Sequence, residues 1–90
     1  MKISASEQVV SWLCGLPPQT KHRVRLALRG LANGQGDIKG LQGPLEGFNR
    51  LRVGGLRVIY RQISGREILL EYANTRDVIY ELYERILENR

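Results

Sequence analysis

Arginines and tyrosines carry the chemistry this sequence offers. Arg50, Arg52, Arg57 and Arg61 fall in the stretch from Phe48 to Arg61, where apolar and basic residues alternate on both sides of Gly54 and Gly55. A guanidinium neutralises a phosphate through paired N–H donors and stabilises the charge of a pentavalent phosphorus transition state. A tyrosine, with a pKa near 10 in water, acts as a base only where neighbouring cations lower that value. Of Tyr60, Tyr72, Tyr80 and Tyr83, Tyr80 is the candidate, because it belongs to the first turn of a C-terminal helix and lies close in sequence to Arg76.

Other chemistries lack their residues. His22 is the single histidine and sits between Lys21 and Arg23, away from the arginine stretch, so a surface role is expected and a histidine-dependent nucleophilic or two-histidine ribonuclease mechanism is excluded. Cys14 is the single cysteine and has no activating base nearby. It excludes an intrachain disulfide and a zinc site of the usual cysteine type, and no metal ligands recur at suitable spacing, so neither metal nor cofactor is expected.

The arginines need an element that aligns them. Gly54 and Gly55 can both take positive φ, as a two-residue type I′ turn requires, so the stretch reads as a β-hairpin pairing Val53 with Leu56, Arg52 with Arg57, Leu51 with Val58 and Arg50 with Ile59. Leu51, Val53, Leu56, Val58 and Tyr60 then face the core, and Arg50, Arg52, Arg57 and Arg61 share the other side. Like charges opposed across strands cost up to roughly 1 kcal/mol. Such a face suits an anionic ligand; its alternative is a solvated charged face that blunts aggregation.

The rest of the chain frames this hairpin. Ile3 belongs to a brief strand, and Ser4 Ala5 Ser6 Glu7 matches a capping box. Val9, Trp12, Leu13 and Leu16 form one helical face that Pro17 and Pro18 end. A second helix starts at Pro18, buries Val24, Ala27, Leu28 and Leu31, and stops at Asn33 Gly34. On a different side it carries Lys21, Arg25 and Arg29 at four-residue spacing, a second basic surface or an ordinary solvated face. Residues 34–47 read as a glycine-rich loop holding at most a turn, with no phosphate-binding signature. After a turn at Ser64 Gly65, residues 68–73 form a third strand. A two-residue turn would send Leu69 and Glu71 inward, and a three-residue turn Ile68, Leu70 and Tyr72. The second is favoured, because an unpaired buried Glu71 is costly, and it leaves Glu71 to pair among Arg57 and Arg61. Thr75 then caps a helix whose stripe is Ile79, Leu82, Tyr83 and Ile86.

Ninety residues predict one domain, 1–90, with a small core. A net charge of +5 and a pI near 9.9 favour an anionic partner, nucleic acid or an acidic protein segment. Charge is segregated: residues 66–90 hold six acids against four bases, whereas residues 1–36 set Glu7 alone against five bases. No apolar run approaches the roughly 20 residues of a membrane span and no signal core is present, so a cytoplasmic protein without membrane association is expected.

At this point the sequence resembles the RelE/ParE superfamily of bacterial toxin–antitoxin toxins over nearly its whole length. Leu41 Gln42 Gly43, followed by Arg50 Leu51 Arg52 Val53 Gly54 Gly55 Leu56 Arg57 Val58 Ile59 Tyr60, is similar to the family's L-x-G and RLRVG-x-YRVIY. Asn74 Thr75 Arg76 Asp77 Val78 Ile79 Tyr80 looks like its G-H-R-x-D-V-Y, with Asn74 and Thr75 replacing glycine and histidine. The resemblance implies an α+β fold: a mostly antiparallel sheet, made of a short N-terminal strand and a three-strand meander, packed with an N-terminal helical hairpin and a C-terminal helix. Its RelE branch implies a metal-independent messenger RNA endoribonuclease that acts on the ribosome and is neutralised by a cognate antitoxin. Carried over by position, Arg57 would stabilise the phosphate, Arg76 would assist it or the leaving group, and Tyr80 would be the base. Arg50, Arg52 and Arg61 would bind the RNA backbone, and Lys21, Arg25 and Arg29 would meet ribosomal RNA. The ParE branch shares the fold but inhibits DNA gyrase, and a noncatalytic RNA-binding module is the third alternative.

Overall fold

The computed structural model describes residues 1–75 and 78–89. Its elements are β1 (Lys2–Ala5), α1 (Glu7–Cys14), α2 (Pro18–Ala32), β2 (Asp37–Gly40), a short 3₁₀ helix (Gly43–Leu45), β3 (Asn49–Val53), β4 (Leu56–Ser64), β5 (Glu67–Thr75) and α3 (Val78–Glu88). The strands form one sheet in the order β1-β5-β4-β3-β2, with β1 parallel to β5 and every other pairing antiparallel. The α+β class and the helix arrangement agree with the sequence reading. The sheet has one strand more, because β2 lies within the stretch read as a loop.

That strand has a physical reason to be illegible. All four of its residues are exposed, so no buried alternation marks it, and it is held by backbone pairing of Ile38 with Leu51 and Lys39 with Arg50. Gly36, at φ 123°, lets the chain turn into β2 tight against the sheet: a Cβ there would stand 3.0 Å from the Leu51 side chain.

The β3–β4 hairpin forms in the expected register, from Val53 with Leu56 through Arg50 with Ile59. Its turn type differs. Gly54 has φ 59° whereas Gly55 has no positive φ, the φ pattern of a type II′ turn, which needs glycine only at its first central position.

The third strand combines features of both expected registers. Ser64 pairs with Glu67, so the turn has two residues, but the pairing then shifts to Gln62 with Ile68, leaving Ile63 as an extra residue. This bulge restores parity, and Ile68 and Leu70 point into the core without a three-residue turn. A second shift, from Ile59 with Tyr72 to Tyr60 with Leu70, leaves Glu71 unpaired in the ladder and reverses the faces again. Ala73 therefore joins the core in place of Tyr72, which packs on the opposite side. Glu71 is 8% exposed and accepts a hydrogen bond from Arg61 Nε at 2.8 Å, the ion pair the sequence suggested.

α1 holds the bulged strand from outside. Ser6, not Ser4, is its N-cap, and Ser6 Oγ accepts from the Val9 N–H at 3.3 Å; Ser4 lies in β1, where its hydroxyl donates to Glu67. Beyond Ala5 the first turn of α1 continues the pairing that β1 began. The Ser6 N–H donates to the Leu70 carbonyl, the Ser6 hydroxyl to that of Glu71 at 2.8 Å, and the Gln8 amide both donates to and accepts from the Ala73 backbone, at 2.7 and 2.8 Å. These bonds satisfy an edge that would otherwise be orphaned.

Two apolar cores flank the sheet. Val9 of α1 and Leu31 of α2 pack with Leu51, Val58, Tyr60, Ile68, Leu70 and Ala73 on one side. On the other, Ile79 and Tyr83 of α3 cover Ile59 and Leu45, with Phe48 edge-on to Tyr83 at 5.5 Å and Tyr72 stacked on it at 5.6 Å. Burying side chains of this size contributes roughly 1.5–3 kcal/mol each. The stripe of α3 continues through Leu87 instead of Ile86, which is 38% exposed. Thr75 ends β5, and the cap position next to Val78 lies outside the described residues. Among the described residues no helix is long and apolar enough to cross a membrane.

Candidate functional site

The arginine side of the hairpin is only partly open to solvent. Ile59 lies on it and is fully buried beneath α3, so the sheet face divides at that residue. Toward the hairpin turn, between the arginines and α3, lies a cleft of about 510 Å³. Its sheet side presents Lys39 of β2, Arg50 and Arg52 of β3 and Arg57 of β4; its helix side presents Tyr80 and Glu84 of α3; Gly40, Leu41, Gln42 and Leu45 close one end.

Each arginine is held differently. Arg57 is 9% exposed, and its Nη1 donates to the carbonyls of Gly54 at 3.1 Å and Leu56 at 3.2 Å, which fix the guanidinium at the hairpin turn. Arg52, directly opposite, is exposed, and its Nε donates to the same Gly54 carbonyl at 3.4 Å. Arg50 has a mostly buried side chain and pairs through Nη2 with Asp37 of β2 at 3.2 Å. Among the described residues, four cationic side chains thus line the cleft, against Glu84 as the carboxylate in its walls. Field lines concentrate in such a concavity, so it draws anions with several donors presented at once.

Tyr80 is half-buried, packs against the second core and lines the cleft together with the arginines. Tyr60 faces the first core, away from the cleft, and burial raises its pKa above the ordinary phenol value. Tyr72 and Tyr83 are engaged in the aromatic stack. Among the described residues, no three His, Cys, Asp or Glu side chains cluster as metal ligands would.

The cleft brings together Arg50, Arg52, Arg57 and Tyr80 of the residues singled out by sequence. Arg61 lies further along β4, with its Nε committed to Glu71. Lys21, Arg25 and Arg29 belong to α2, which packs on the opposite side of the sheet; there Arg25 and Arg29 border an apolar trough lined by Met1, Ile3 and Leu28. Arg76 lies outside the described residues. His22 and Cys14 are exposed, and neither lines the cleft. Sequence reasoning missed Lys39 and Glu84. The first sits on the unread strand, whereas the second had a signal, since its four-residue spacing from Tyr80 puts the two on one helix face.

No protein-family model matches this chain, and neither does any curated protein. Its fold is nevertheless that of solved structures. It is similar to a chain of the RelB–RelE antitoxin–toxin complex from Methanococcus jannaschii, with a TM-score of 0.68 and 22% identity over 89% of this chain and 98% of that one. A chain of the RelBE2 toxin–antitoxin complex of Mycobacterium tuberculosis gives 0.70 at 20% identity, covering 83% of this chain and 90% of that. The isolated RelE toxin of E. coli gives 0.69 at 14% identity over 94% and 97%. The chain has the RelE-like toxin fold.

Proposed function

We propose that residues 1–90 act as one toxin domain of a type II toxin–antitoxin system, cutting messenger RNA on the ribosome in the cytoplasm without a metal ion. The observation that carries this reading is the cleft itself: Arg57, fixed by two backbone carbonyls, stands with Arg50 and Arg52 across from the Tyr80 side chain. RNA carries its own nucleophile. Attack of a 2′-oxygen on the adjacent phosphorus forms the O2′–P bond and breaks the P–O5′ bond, so the protein must align the chain, stabilise added charge and move protons. Arg50 and Arg52 bind the backbone, Arg57 stabilises the pentavalent phosphorus, and Tyr80 supplies a hydroxyl for proton transfer.

The partner reading rests on the same grounds. Two of the similar structures are toxin–antitoxin complexes. An acidic or amphipathic antitoxin segment complements a chain of charge +5 with an arginine-lined cleft. The basic side of α2, carrying Lys21, Arg25 and Arg29, is assigned to ribosomal RNA.

The test is primer extension on messenger RNA in a purified translation system, run beside a gyrase supercoiling assay. Cleavage within translated RNA supports the proposal. Intact RNA with blocked supercoiling replaces it by gyrase inhibition, and silence in both assays leaves a noncatalytic RNA-binding module. Induction without the antitoxin should arrest growth, and co-expression of the neighbouring reading frame should restore it.

A further inference from the structure

Glu84 has no place in the chemistry described so far, yet it stands in the cleft. It lies one helical turn after Tyr80, and both line the wall that faces Lys39, Arg50, Arg52 and Arg57. Glu84 is half-buried, and among the described residues its carboxylate makes no hydrogen bond or ion pair within the chain. Among the described residues, two carboxylates beside sheet arginines are committed: Asp37 to Arg50, and Glu71 to Arg61. A carboxylate on the wall of a phosphate-binding cleft weakens phosphate binding, so a ligand-binding role alone gives no reason for it.

We propose that Glu84 accepts the proton of the attacking 2′-hydroxyl and that Tyr80 donates a proton to the departing 5′-oxygen. The assignment rests on the ribonuclease reading and deepens it. An ordinary carboxylate, with a pKa near 4.3, is an acceptor at neutral pH, and an ordinary phenol, with a pKa near 10, is a donor. A carboxylate thus needs no activation to accept a proton, whereas a tyrosine base requires its proton to be removed first. Residues one turn apart on a helix have Cβ atoms about 5–6 Å apart, a spacing that serves two oxygens on opposite sides of one phosphorus.

The step balances. O2′ bonds to phosphorus as the P–O5′ bond breaks, the O2′ proton passes to the Glu84 carboxylate, and the Tyr80 proton passes to O5′. The products are a 2′,3′-cyclic phosphate and a 5′-hydroxyl end, after which exchange with water resets both side chains.

The experiment measures single-turnover cleavage on programmed ribosomes for wild type, Glu84→Gln, Glu84→Asp and Tyr80→Phe, on the ordinary messenger and on one whose scissile 5′-oxygen is replaced by sulfur, with ribosome affinity measured in parallel. Glu84→Gln should lower the rate about 100-fold or more on both messengers while affinity stays within about threefold. Glu84→Asp should recover part of the rate. Tyr80→Phe should be slow on the ordinary messenger and near wild type on the sulfur-substituted one, whose thiolate departs without a proton. Glu84→Gln that cuts at the wild-type rate, or whose rate and affinity fall together, overturns the assignment, as does a Tyr80→Phe defect that persists on the sulfur-substituted messenger. A wild type that cuts no RNA overturns the ribonuclease reading and the assignment with it, whereas an active wild type matched by an equally active Glu84→Gln overturns the assignment alone.

Discussion

Arg52 and Arg57 face each other across the β3–β4 ladder, and both donate to the carbonyl oxygen of Gly54, Arg52 through Nε at 3.4 Å and Arg57 through Nη1 at 3.1 Å. Two cations directly opposed on one sheet face repel. The turn carbonyl supplies partial negative charge to both and holds the two guanidinium groups at the Gly54 turn.

The two arginines should separate kinetically. Arg57 is nearly buried and fixed, so Arg57→Ala should lower cleavage by roughly 100-fold or more, comparable to losing one preorganised donor, with a much smaller loss of binding. Arg52 is exposed and more weakly held, and Arg52→Ala should raise KM with little change in kcat. Single-turnover rates and ribosome affinity for both variants check this.

Gly54 and Gly55 should respond unequally to alanine. Gly54 has φ 59°, and a Cβ there would meet Arg23 Nη2 at 2.8 Å, whereas nothing stands within 4 Å of a Cβ on Gly55. Gly54→Ala should cost about 1–3 kcal/mol in urea unfolding, from strain at a position that disfavours side chains. It should also lower cleavage, because the carbonyl that anchors Arg57 shifts. Gly55→Ala should leave both nearly unchanged.

Arg61 is assigned here to stability. Its side chain is 45% exposed, but its partner Glu71 is buried in a bulge whose backbone α1 clamps. Arg61→Ala leaves that carboxylate unpaired and should cost about 1–3 kcal/mol. Cleavage per folded molecule should remain at the wild-type level, and loss of rate at full folding would return Arg61 to the RNA-binding set.

Tyr60 sets an alkaline limit. Burial raises its folded pKa above the unfolded value near 10. The unfolded chain therefore loses this proton first. Stability from the group is intact below about pH 10 and drops as pH rises from there through the folded value. Tyr60→Phe should flatten the fall of Tm above about pH 10 relative to wild type. An unchanged alkaline slope would contradict it.

The hairpin was legible because one signal, period-2 alternation about a glycine pair, set both its register and its faces. α2 was legible from its flanking proline and glycine. What escaped the sequence depended on contacts between distant segments. The bulge at Glu71 is held by Ser6 and Gln8, which bond Glu71 and Ala73 across 65 residues of sequence, so no local pattern separates Tyr72 from Ala73. β2 shows no alternation because it buries nothing. In the site, the arginines were visible through their spacing. The wall opposite them was half seen, since Tyr80 drew attention through Arg76 while Glu84 read as one more acid on a charged helix.

The basic side of α2 provides the last prediction. Lys21, Arg25 and Arg29 are on the face of the sheet opposite the cleft, so they cannot share one phosphate with Arg57, and any role they have toward RNA is separable from the chemistry. Replacing all three with glutamine removes three positive charges without touching the buried side of α2, formed by Val24 and Leu31. Folding should be preserved, with Tm within about 2–4 °C of wild type, because solvated surface charges contribute little stability. Affinity for ribosomes should fall, and the dependence of log affinity on log salt should lose up to about 0.7–0.9 of slope for each phosphate contact removed. The single-turnover rate at saturating ribosomes should stay near the wild-type value. A triple variant that binds ribosomes with unchanged affinity and salt slope would show that this stripe is a solvated helix face and that the cleft alone engages RNA.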